Sequence, residues 1–241
     1  MDISEVIDMK CFNIGVLGGM GTYATIHLFQ QYAEVFPAQK EWDRPRIVID
    51  NRCTMPSRVR AFLYDENVDK LVDEMTDSMQ YLIAAGCTRI ILACNTSHLF
   101  LPQIYERVPN LDKKVLNIIY NCVEQVKKDN VKEVYLLGSE GTIASGIYQN
   151  ALEKEGIKCI VPASEEYNLL RDCIEAVKQN KYTEQVKNIF IDLVERYDTC
   201  ILGCTELPIL YQMYRKDISR KNIYDPLLLG LKKLKEEYDN V

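Results

Sequence analysis

The chain has 241 residues, of which 47% are hydrophobic, and a formal net charge of −6. This composition predicts a globular protein with one large or two small α/β domains, and the acidic balance argues against the basic face that nucleic-acid binding needs. No apolar stretch approaches the roughly 20 residues of a membrane span, and the acidic segment 1–8 lacks the basic-then-apolar order of a secretory signal.

Short apolar runs alternate with amphipathic stretches along the chain. The predicted strands are 13–17, 46–50, 89–93, 115–117, 133–137, 158–161 and 199–202. The predicted helices are 24–36, 67–85, 118–128, 143–155, 166–179, 183–195 and 226–238. This alternation is typical of parallel βαβ units, and such sheets bind ligands at the carboxyl ends of their strands.

A glycine-rich turn follows the first predicted strand and recurs in the second half of the chain. Residues 14–25 align without gaps on residues 134–145, with Leu, Gly, Gly, Thr and Ala coinciding. The G-x-G-x-x-A pattern from Gly19 also matches a dinucleotide fingerprint, but the next strand-terminal acid comes too late for the acid that would bind ribose. We expect both turns to present backbone donors and a threonine, Thr22 or Thr142, to a small anion, with Met20 and Thr142 as candidate substrate contacts.

The loop after the second predicted strand carries a cluster of polar residues. Asn51 lies at its start, and Arg52 and Arg58 follow. A guanidinium can hold a carboxylate through two parallel hydrogen bonds, and this loop leaves the same sheet edge as the strand before Cys94. We therefore predict that Arg58 or Arg52 binds a substrate carboxylate, with Asn51 beside it, and that Arg60 faces solvent.

Two cysteines end two similar apolar runs. Cys94 follows the run ILA and Cys204 follows the run ILG, and each precedes Asn or Thr and then a helical pattern. The chain has nine cysteines and no CxxC pair, which indicates neither a zinc ribbon nor a thioredoxin-like site. Free thiols in this number fit a reducing cytosol, so we expect a cytoplasmic protein.

The residues after each cysteine suit acid–base chemistry beside a carboxylate. The thiolate is the base, and the N–H groups of a helix N-terminus favour that anion and can also hold a carboxylate. Asn95, Thr96, Ser97 and Thr205 suit such a first turn. Two thiols that face one substrate from opposite sides would remove an α-proton from one face and return a proton to the other, which inverts the stereocentre.

Histidine is scarce, which bears on the alternative of a nucleophilic thiol hydrolase. Such an enzyme needs a histidine base, and the chain contains only His27 and His98. His98 comes four residues after Cys94 and would share a helix face with it. We interpret His98 as a supporting or structural residue and His27 as structural.

The two internal echoes predict a duplicated architecture. We expect an α/β fold with two similar lobes, each a parallel-type sheet flanked by helices, related by pseudo-two-fold symmetry. One lobe, residues 1–115 plus 218–241, would carry Cys94, and the other, residues 116–217, would carry Cys204. The substrate cleft would lie between the lobes, as clefts often do.

Four motifs occur in order along the chain: GGMGxxAT from Gly18, CNTSH from Cys94, GTIxSG from Gly141 and GCTEL from Gly203. Together they resemble the aspartate/glutamate racemase family, in particular its aspartate racemase branch, over residues 14–229. The resemblance implies two α/β lobes and a homodimer. It also implies racemisation of a small amino-acid substrate by two cysteines, with no pyridoxal phosphate, other cofactor or metal.

Carried over by position, the resemblance implies that Cys94 and Cys204 are the acid–base pair, without assigning either to one enantiomer. It further implies substrate contacts from Arg58, Asn95, Thr96, Ser97, Thr142 and Thr205.

The chain departs from the family pattern in the second lobe. Aspartate racemases that resemble it often place a lysine after an acidic stretch, whereas the segment SEEYN here presents Asn168. Val59 also follows Arg58 where a threonine is usual. The missing cation leaves the substrate open among aspartate, glutamate and a broader range of amino acids.

Three other functions stay open at this point. The same thiols would serve a maleate-isomerase-like or hydantoin-racemase-like enzyme. The turn from Gly19 would serve a nucleotide-dependent oxidoreductase, although Cys204 would then be unexplained. The fold would also suit a non-catalytic amino-acid-binding protein, against which the presence of both cysteines argues.

Overall fold

The structure, a computed structural model, describes residues 12–219 and 222–240; the prediction for segment 1–8 lies outside these ranges. The strands are Ile14–Gly18 (β1), Ile47–Asn51 (β2), Arg89–Leu92 (β3), Glu133–Gly138 (β4), Lys158–Ile160 (β5), Thr199–Gly203 (β6) and Asn222–Tyr224 (β7). The helices are Thr22–Val35 (α1), Arg58–Tyr64 (α2), Val68–Ala84 (α3), Leu101–Arg107 (α4), Ile118–Lys128 (α5), Glu140–Ala144 (α6), Ile147–Lys154 (α7), Tyr167–Lys178 (α8), Glu184–Glu195 (α9), Leu207–Tyr214 (α10) and Pro226–Asp239 (α11).

The strands form two parallel sheets with the same strand order. The first sheet runs β2-β1-β3, and a parallel bridge between Ile90 and Val115 extends it beyond β3. The second sheet runs β5-β4-β6-β7. β1 and β4 therefore hold equivalent central places, and β3 and β6, which precede the two cysteines, lie beside them. The predicted α/β fold with two parallel sheets flanked by helices is confirmed.

A continuous apolar core joins the two sheets. Alternate residues of a strand point to opposite faces, so β1 sends Ile14 and Val16 into a buried cluster that also contains Leu136 of β4. Leu17 points the other way, into a second cluster that includes Met75 of α3. Because β1 is buried on both faces, as parallel sheets usually are, its carboxyl end is held firmly and can position a site.

The C-terminal segment contacts both halves of the molecule. β7 pairs with β6 and so belongs to the second sheet, while α11 packs against α1 and α5. The lobe bounds given above stay a prediction, but residues 222–224 lie in the sheet that precedes Cys204 and not in the sheet that precedes Cys94.

Several elements differ from the predicted ones. The predicted helix 143–155 is two helices, α6 and α7, because Gly146 adopts a left-handed φ of 67° between them. The helices α2, α4 and α10 and the strand β7 were not predicted, since each has eight residues or fewer and shows too little periodicity. None of the helices in the described ranges is long and apolar enough to span a bilayer.

Candidate active site

The carboxyl ends of β3 and β6 meet at a cavity between the two sheets. Cys94 and Cys204 both line it, and each is half-buried. The cavity is also lined by Met20, Arg58, Asn95, Thr96, Lys178 and Thr205. The structure thus brings the two cysteines and five of the other eight predicted contacts to one place.

The loop that carries Cys94 is held through the cysteine's own carbonyl. Ser97 Oγ donates to Cys94 O at 2.7 Å, and His98 Nδ1 donates to the same oxygen at 2.9 Å. Asn95 does not cap the short helical turn that follows it. Its Oδ1 accepts a hydrogen bond from Tyr148 Oη at 2.6 Å instead, so a tyrosine of α7 fixes the orientation of this amide.

His98 is a neutral, buried histidine. Burial lowers its pKa to about 4, although its hydrogen bonds to the carbonyls of Cys94 and Asn95 act in the opposite direction. Its Nε2 is buried and has no hydrogen-bond partner. With the Nδ1 proton committed to backbone carbonyls, His98 cannot act as the base for Cys94, and its role is to hold the loop.

The Cys204 thiol contacts a buried carboxylate. Cys204 Sγ donates to Glu206 Oε2 at 3.0 Å, and Thr205 Oγ1 donates to the same oxygen at 3.3 Å. Glu206 is only 3% exposed. Burial, together with the charge and hydrogen bond of Glu206, raises the pKa of Cys204 well above its usual value, while Lys178 acts to lower it. Cys204 is therefore a thiol at neutral pH, suited to giving a proton.

Arg58 presents a guanidinium to the cavity. Its Nη2 donates to Met20 O at 2.6 Å and its Nη1 to Pro56 O at 3.1 Å, while Nε is buried without a partner. Among the described residues Arg58 forms no ion pair, whereas Arg52 contacts three carboxylates. Of the two predicted arginines, Arg58 is the one that keeps its charge available for a ligand.

Lys178 is a cation of the cavity that the sequence pattern did not indicate. It lies in the last turn of α8 and pairs with Glu175 at 2.8 Å. Burial acts to lower its pKa, but the hydrogen bond to Glu175 and the charges of Glu206 and Cys204 outweigh this and raise it. Asn168 is exposed at the other end of α8. Asn168 does not line the cavity, and the inference of a missing cation drawn from it is corrected by a lysine ten residues later on the same helix, which does line the cavity.

Three predicted contacts do not line the cavity. Asn51 is exposed, and its Nδ2 contacts Cys53 Sγ at 3.2 Å. Thr142 is fully buried, and its Oγ1 is hydrogen-bonded to Thr96 Oγ1 at 2.8 Å. Ser97 is also fully buried and holds the cysteine loop as described above. Thr142 and Ser97 therefore act on the cavity through its lining residues.

The glycine turn of each lobe contacts the cysteine loop of the other lobe. The contact is made with the residue two positions after the cysteine. A Cβ at Gly21 would collide with Glu206 Oε1, and a Cβ at Gly141 would lie 3.2 Å from Thr96 Cγ2. Gly21 and Gly141 are equivalent in the internal echo, as are Glu206 and Thr96. The repeated glycine thus leaves room for the opposite cysteine loop at two matched points.

A larger cavity adjoins the one that holds the cysteines. The cysteine cavity is small, ≈ 60 Å³, and its neighbour between α2 and α8 measures ≈ 400 Å³. The two cavities lie side by side and share the lining residues Ser57, Val59, Ser139, Ile174 and Lys178.

Comparison with known proteins gives matches over nearly the whole chain. The profile of the family described as Asp/Glu/Hydantoin racemase matches residues 17–234. The broad specificity amino-acid racemase RacX of Bacillus subtilis (strain 168) is 26% identical over 217 residues, which cover 85% of this chain and 90% of the relative. A solved structure of Picrophilus torridus aspartate racemase has a TM-score of 0.79 at 26% identity, covering 95% of this chain and 98% of its own. An aspartate racemase homologue from Pyrococcus horikoshii OT3 has a TM-score of 0.73 at 25% identity, covering 94% and 99%.

Proposed function

Because the chain belongs to the Asp/Glu/hydantoin racemase family, we propose that it racemises an acidic amino acid by moving the α-proton between Cys94 and Cys204. Membership confirms the resemblance indicated by the four motifs, and with it an isomerase that acts on amino acids. The observation that carries the two-cysteine proposal is that both thiols line one cavity at the ends of equivalent strands.

The proposed reaction needs only proton transfers. In one direction the Cys94 thiolate forms an S–H bond with the α-proton, and the electron pair of the broken C–H bond passes into the substrate carboxylate. Cys204 then donates its S–H proton to the opposite face of the α-carbon and is left as a thiolate. The other enantiomer reacts by the reverse sequence. Arg58 stabilises the charge that develops on the carboxylate, because a fixed cation in a water-poor site costs no reorganisation.

Two cations support an acidic substrate. Arg58 lines only the cysteine cavity, whereas Lys178 lines both that cavity and its larger neighbour. We assign the α-carboxylate to Arg58 and the side-chain carboxylate to Lys178, which makes aspartate or glutamate the preferred class of substrate. The Bacillus subtilis relative is a broad specificity racemase, so a panel that includes neutral amino acids belongs in the test.

The test is racemisation and α-proton exchange in D₂O with both enantiomers of aspartate, glutamate and a panel of neutral amino acids. We expect deuterium at the α-carbon of aspartate or glutamate, and loss of racemisation in Cys94→Ser and in Cys204→Ser. Cys53→Ser is the matched control, since Cys53 is exposed and outside the cavity. Absence of exchange with every amino acid by the reduced protein would overturn the proposal.

The alternative isomerases differ in substrate, and adding maleate and hydantoins to the same panel separates them from an amino-acid racemase. The nucleotide alternative is disfavoured by one contact. A pyrophosphate at the Gly21 turn would meet the carboxylate of Glu206, which lies against that glycine, and like charges repel at such short range. We further propose the homodimer and the cytoplasmic location that the resemblance and the free thiols indicate, with sedimentation and cell fractionation as tests.

A further inference from the structure

Glu206 places a carboxylate on one of the two thiols, and the other thiol has a different neighbour. The position equivalent to Glu206 in the Cys94 loop is Thr96, whose hydroxyl is hydrogen-bonded to Ser139 Oγ at 2.9 Å and to Thr142 Oγ1 at 2.8 Å. The duplicated scaffold thus carries two equivalent cysteines in chemically different surroundings.

The carboxylate of Glu206 occupies space that is open only because residue 21 is a glycine. Its Oε2 accepts from Cys204 Sγ and from Thr205 Oγ1, and its Oε1 lies where a Cβ of residue 21 would be. Gly21 has a φ of 179°, an extended conformation open to any residue, so the backbone does not require glycine here. Glycine is required because the Glu206 carboxylate takes the space that a Cβ would fill.

The charges of this pair are coupled. A thiolate and a carboxylate whose heavy atoms are 3.0 Å apart in a water-poor site repel each other strongly. The thiol form of Cys204 is therefore favoured while the carboxylate lies against it.

We propose that Glu206 is a catalytic residue that exchanges a proton with Cys204 and thereby lets this cysteine act as acid or base; the proposal rests on the proposed racemase function. When Cys204 acts as the base, its S–H bond breaks as an O–H bond forms at Glu206 Oε2. The resulting thiolate takes the substrate α-proton, and the electron pair of the C–H bond stays on the substrate. When Cys204 acts as the acid, its proton forms the new C–H bond, and the proton on Glu206 returns to sulfur.

The closing experiment measures thiol reactivity, which needs no turnover. Alkylation rates of the Cys204 and Cys94 peptides are followed by mass spectrometry against pH in the unmodified protein and in Glu206→Gln. Loss of the carboxylate removes the charge that opposes the thiolate, so Cys204 alkylation near neutral pH should rise about tenfold or more, the result of a pKa fall of about one unit. The rate of Cys94 should stay the same. Glu153→Gln, an exposed carboxylate on α7, is the control and should change neither rate.

Gly21→Ala tests the same idea with every reacting group retained. Its Cβ displaces the Glu206 carboxylate from Cys204, so Cys204 alkylation should rise while Glu206 remains in the chain. This variant also serves if Glu206→Gln does not fold, as judged by circular dichroism. Unchanged Cys204 reactivity in a folded Glu206→Gln or Gly21→Ala protein would overturn the proposal, whether or not the protein racemises any amino acid.

Activity gives a second readout. Glu206→Gln should lower kcat by about 10²-fold, the scale of a general acid–base contribution, with little change in KM because Glu206 is placed on sulfur and not on substrate. The alkaline limb of the kcat/KM profile should also move to lower pH, since Cys204 then loses its proton earlier. Glu206→Asp, which keeps a carboxylate, should recover part of the rate. An increase in KM alone, with kcat and the pH profile unchanged, would contradict a role in proton transfer.

Discussion

The loops that follow β3 and β6 come from equivalent strands, yet they hold their cysteines by different means. Cys94 is held through its carbonyl, by Ser97 Oγ and His98 Nδ1. Cys204 is engaged through its sulfur, by Glu206 Oε2. The duplicated fold places two thiols at one cavity, and residues that differ between the two repeats set the surroundings of each thiol. Symmetry of the backbone therefore does not imply symmetry of the chemistry.

This asymmetry has a thermodynamic limit in a racemase. The two enantiomers have equal free energies, so the equilibrium constant is one and any substitution changes kcat/KM by the same factor in both directions. The difference between the two loops can only appear in partial reactions, in pH dependence or in stability. The first three experiments below use those readouts.

The largest expected effect is the loss of either thiol. Cys94→Ser and Cys204→Ser should each reduce racemisation about 10³-fold or more, because removing a central acid–base group typically costs 10²–10⁴ and each direction needs both groups. Elimination from a substrate analogue with chloride at Cβ needs only one base, since chloride leaves as the α-proton is taken. Each variant should keep elimination from one enantiomer only, and the two variants should keep opposite enantiomers. Full racemisation by either variant would refute the two-base scheme.

The same elimination reaction gives a pH test of the Cys204 loop. In Cys94→Ser the remaining base is Cys204, whose pKa is raised well above its usual value by burial and then by Glu206. Transfer of the thiol proton to Glu206 supplies thiolate at neutral pH, and loss of the proton to solvent adds thiolate at alkaline pH. This elimination should therefore be measurable at neutral pH and rise further past about 8.5, the ordinary thiol pKa. A profile with no further rise above that value would show that Cys204 is not held as a thiol.

Acid should loosen the Cys94 loop in particular, because His98 belongs to it while Pro208 takes the matching place after Cys204. The pKa of His98 is lowered to about 4 by burial, against about 6.5 in an unfolded chain. Between about pH 4 and pH 6.5 the unfolded state therefore binds more protons than the folded state. The contribution of neutral His98 to the free energy of unfolding is complete above about pH 6.5 and is lost as the pH falls towards 4. The difference corresponds to about 3 kcal/mol. Denaturant titrations across this pH range should show the slope in the natural protein, and His98→Asn should flatten it.

The two cations should affect different substrates. Arg58→Leu should lower kcat/KM about 10²-fold for every amino acid accepted, because the α-carboxylate is common to all, and a charged hydrogen bond lost from a buried site costs about 1.5–3 kcal/mol. Lys178→Met should lower it by a similar factor for aspartate or glutamate and by much less for neutral amino acids. Equal losses across the panel in Lys178→Met would contradict the assignment of Lys178 to the side-chain carboxylate.

The part of this site that was predictable from sequence is the part encoded by strand ends. Cys94 and Cys204 follow buried runs, and the carboxyl ends of parallel strands meet at one edge. Lys178 was not predictable in this way, because it lies at the end of a helix and enters the cavity only through the packing of α8. Lys178 comes four residues after Ile174, so both lie on one face of the helix, and both line the cavity. This spacing was the sequence pattern from which Lys178 could have been found. Glu206 was visible in the GCTEL motif, but its contact with sulfur depends on the room left by Gly21 in the other lobe.

The smallest expected effect separates the two glycine turns. Gly141→Ala would place a Cβ 3.2 Å from Thr96 Cγ2 and 3.3 Å from Val59 Cα, a tight contact that a shift of a few tenths of an ångström relieves. Gly21→Ala instead meets Oε1 of the Glu206 carboxylate, whose other oxygen accepts from Cys204, so we expect the contact with sulfur to change. We therefore expect Gly141→Ala to change kcat/KM by less than about tenfold, below the typical loss of a general acid–base group, and to leave the alkylation of Cys204 unchanged. If the two variants behaved alike, the glycines would be needed for the turns themselves, and the difference between the two cysteine loops would lie elsewhere than in Glu206.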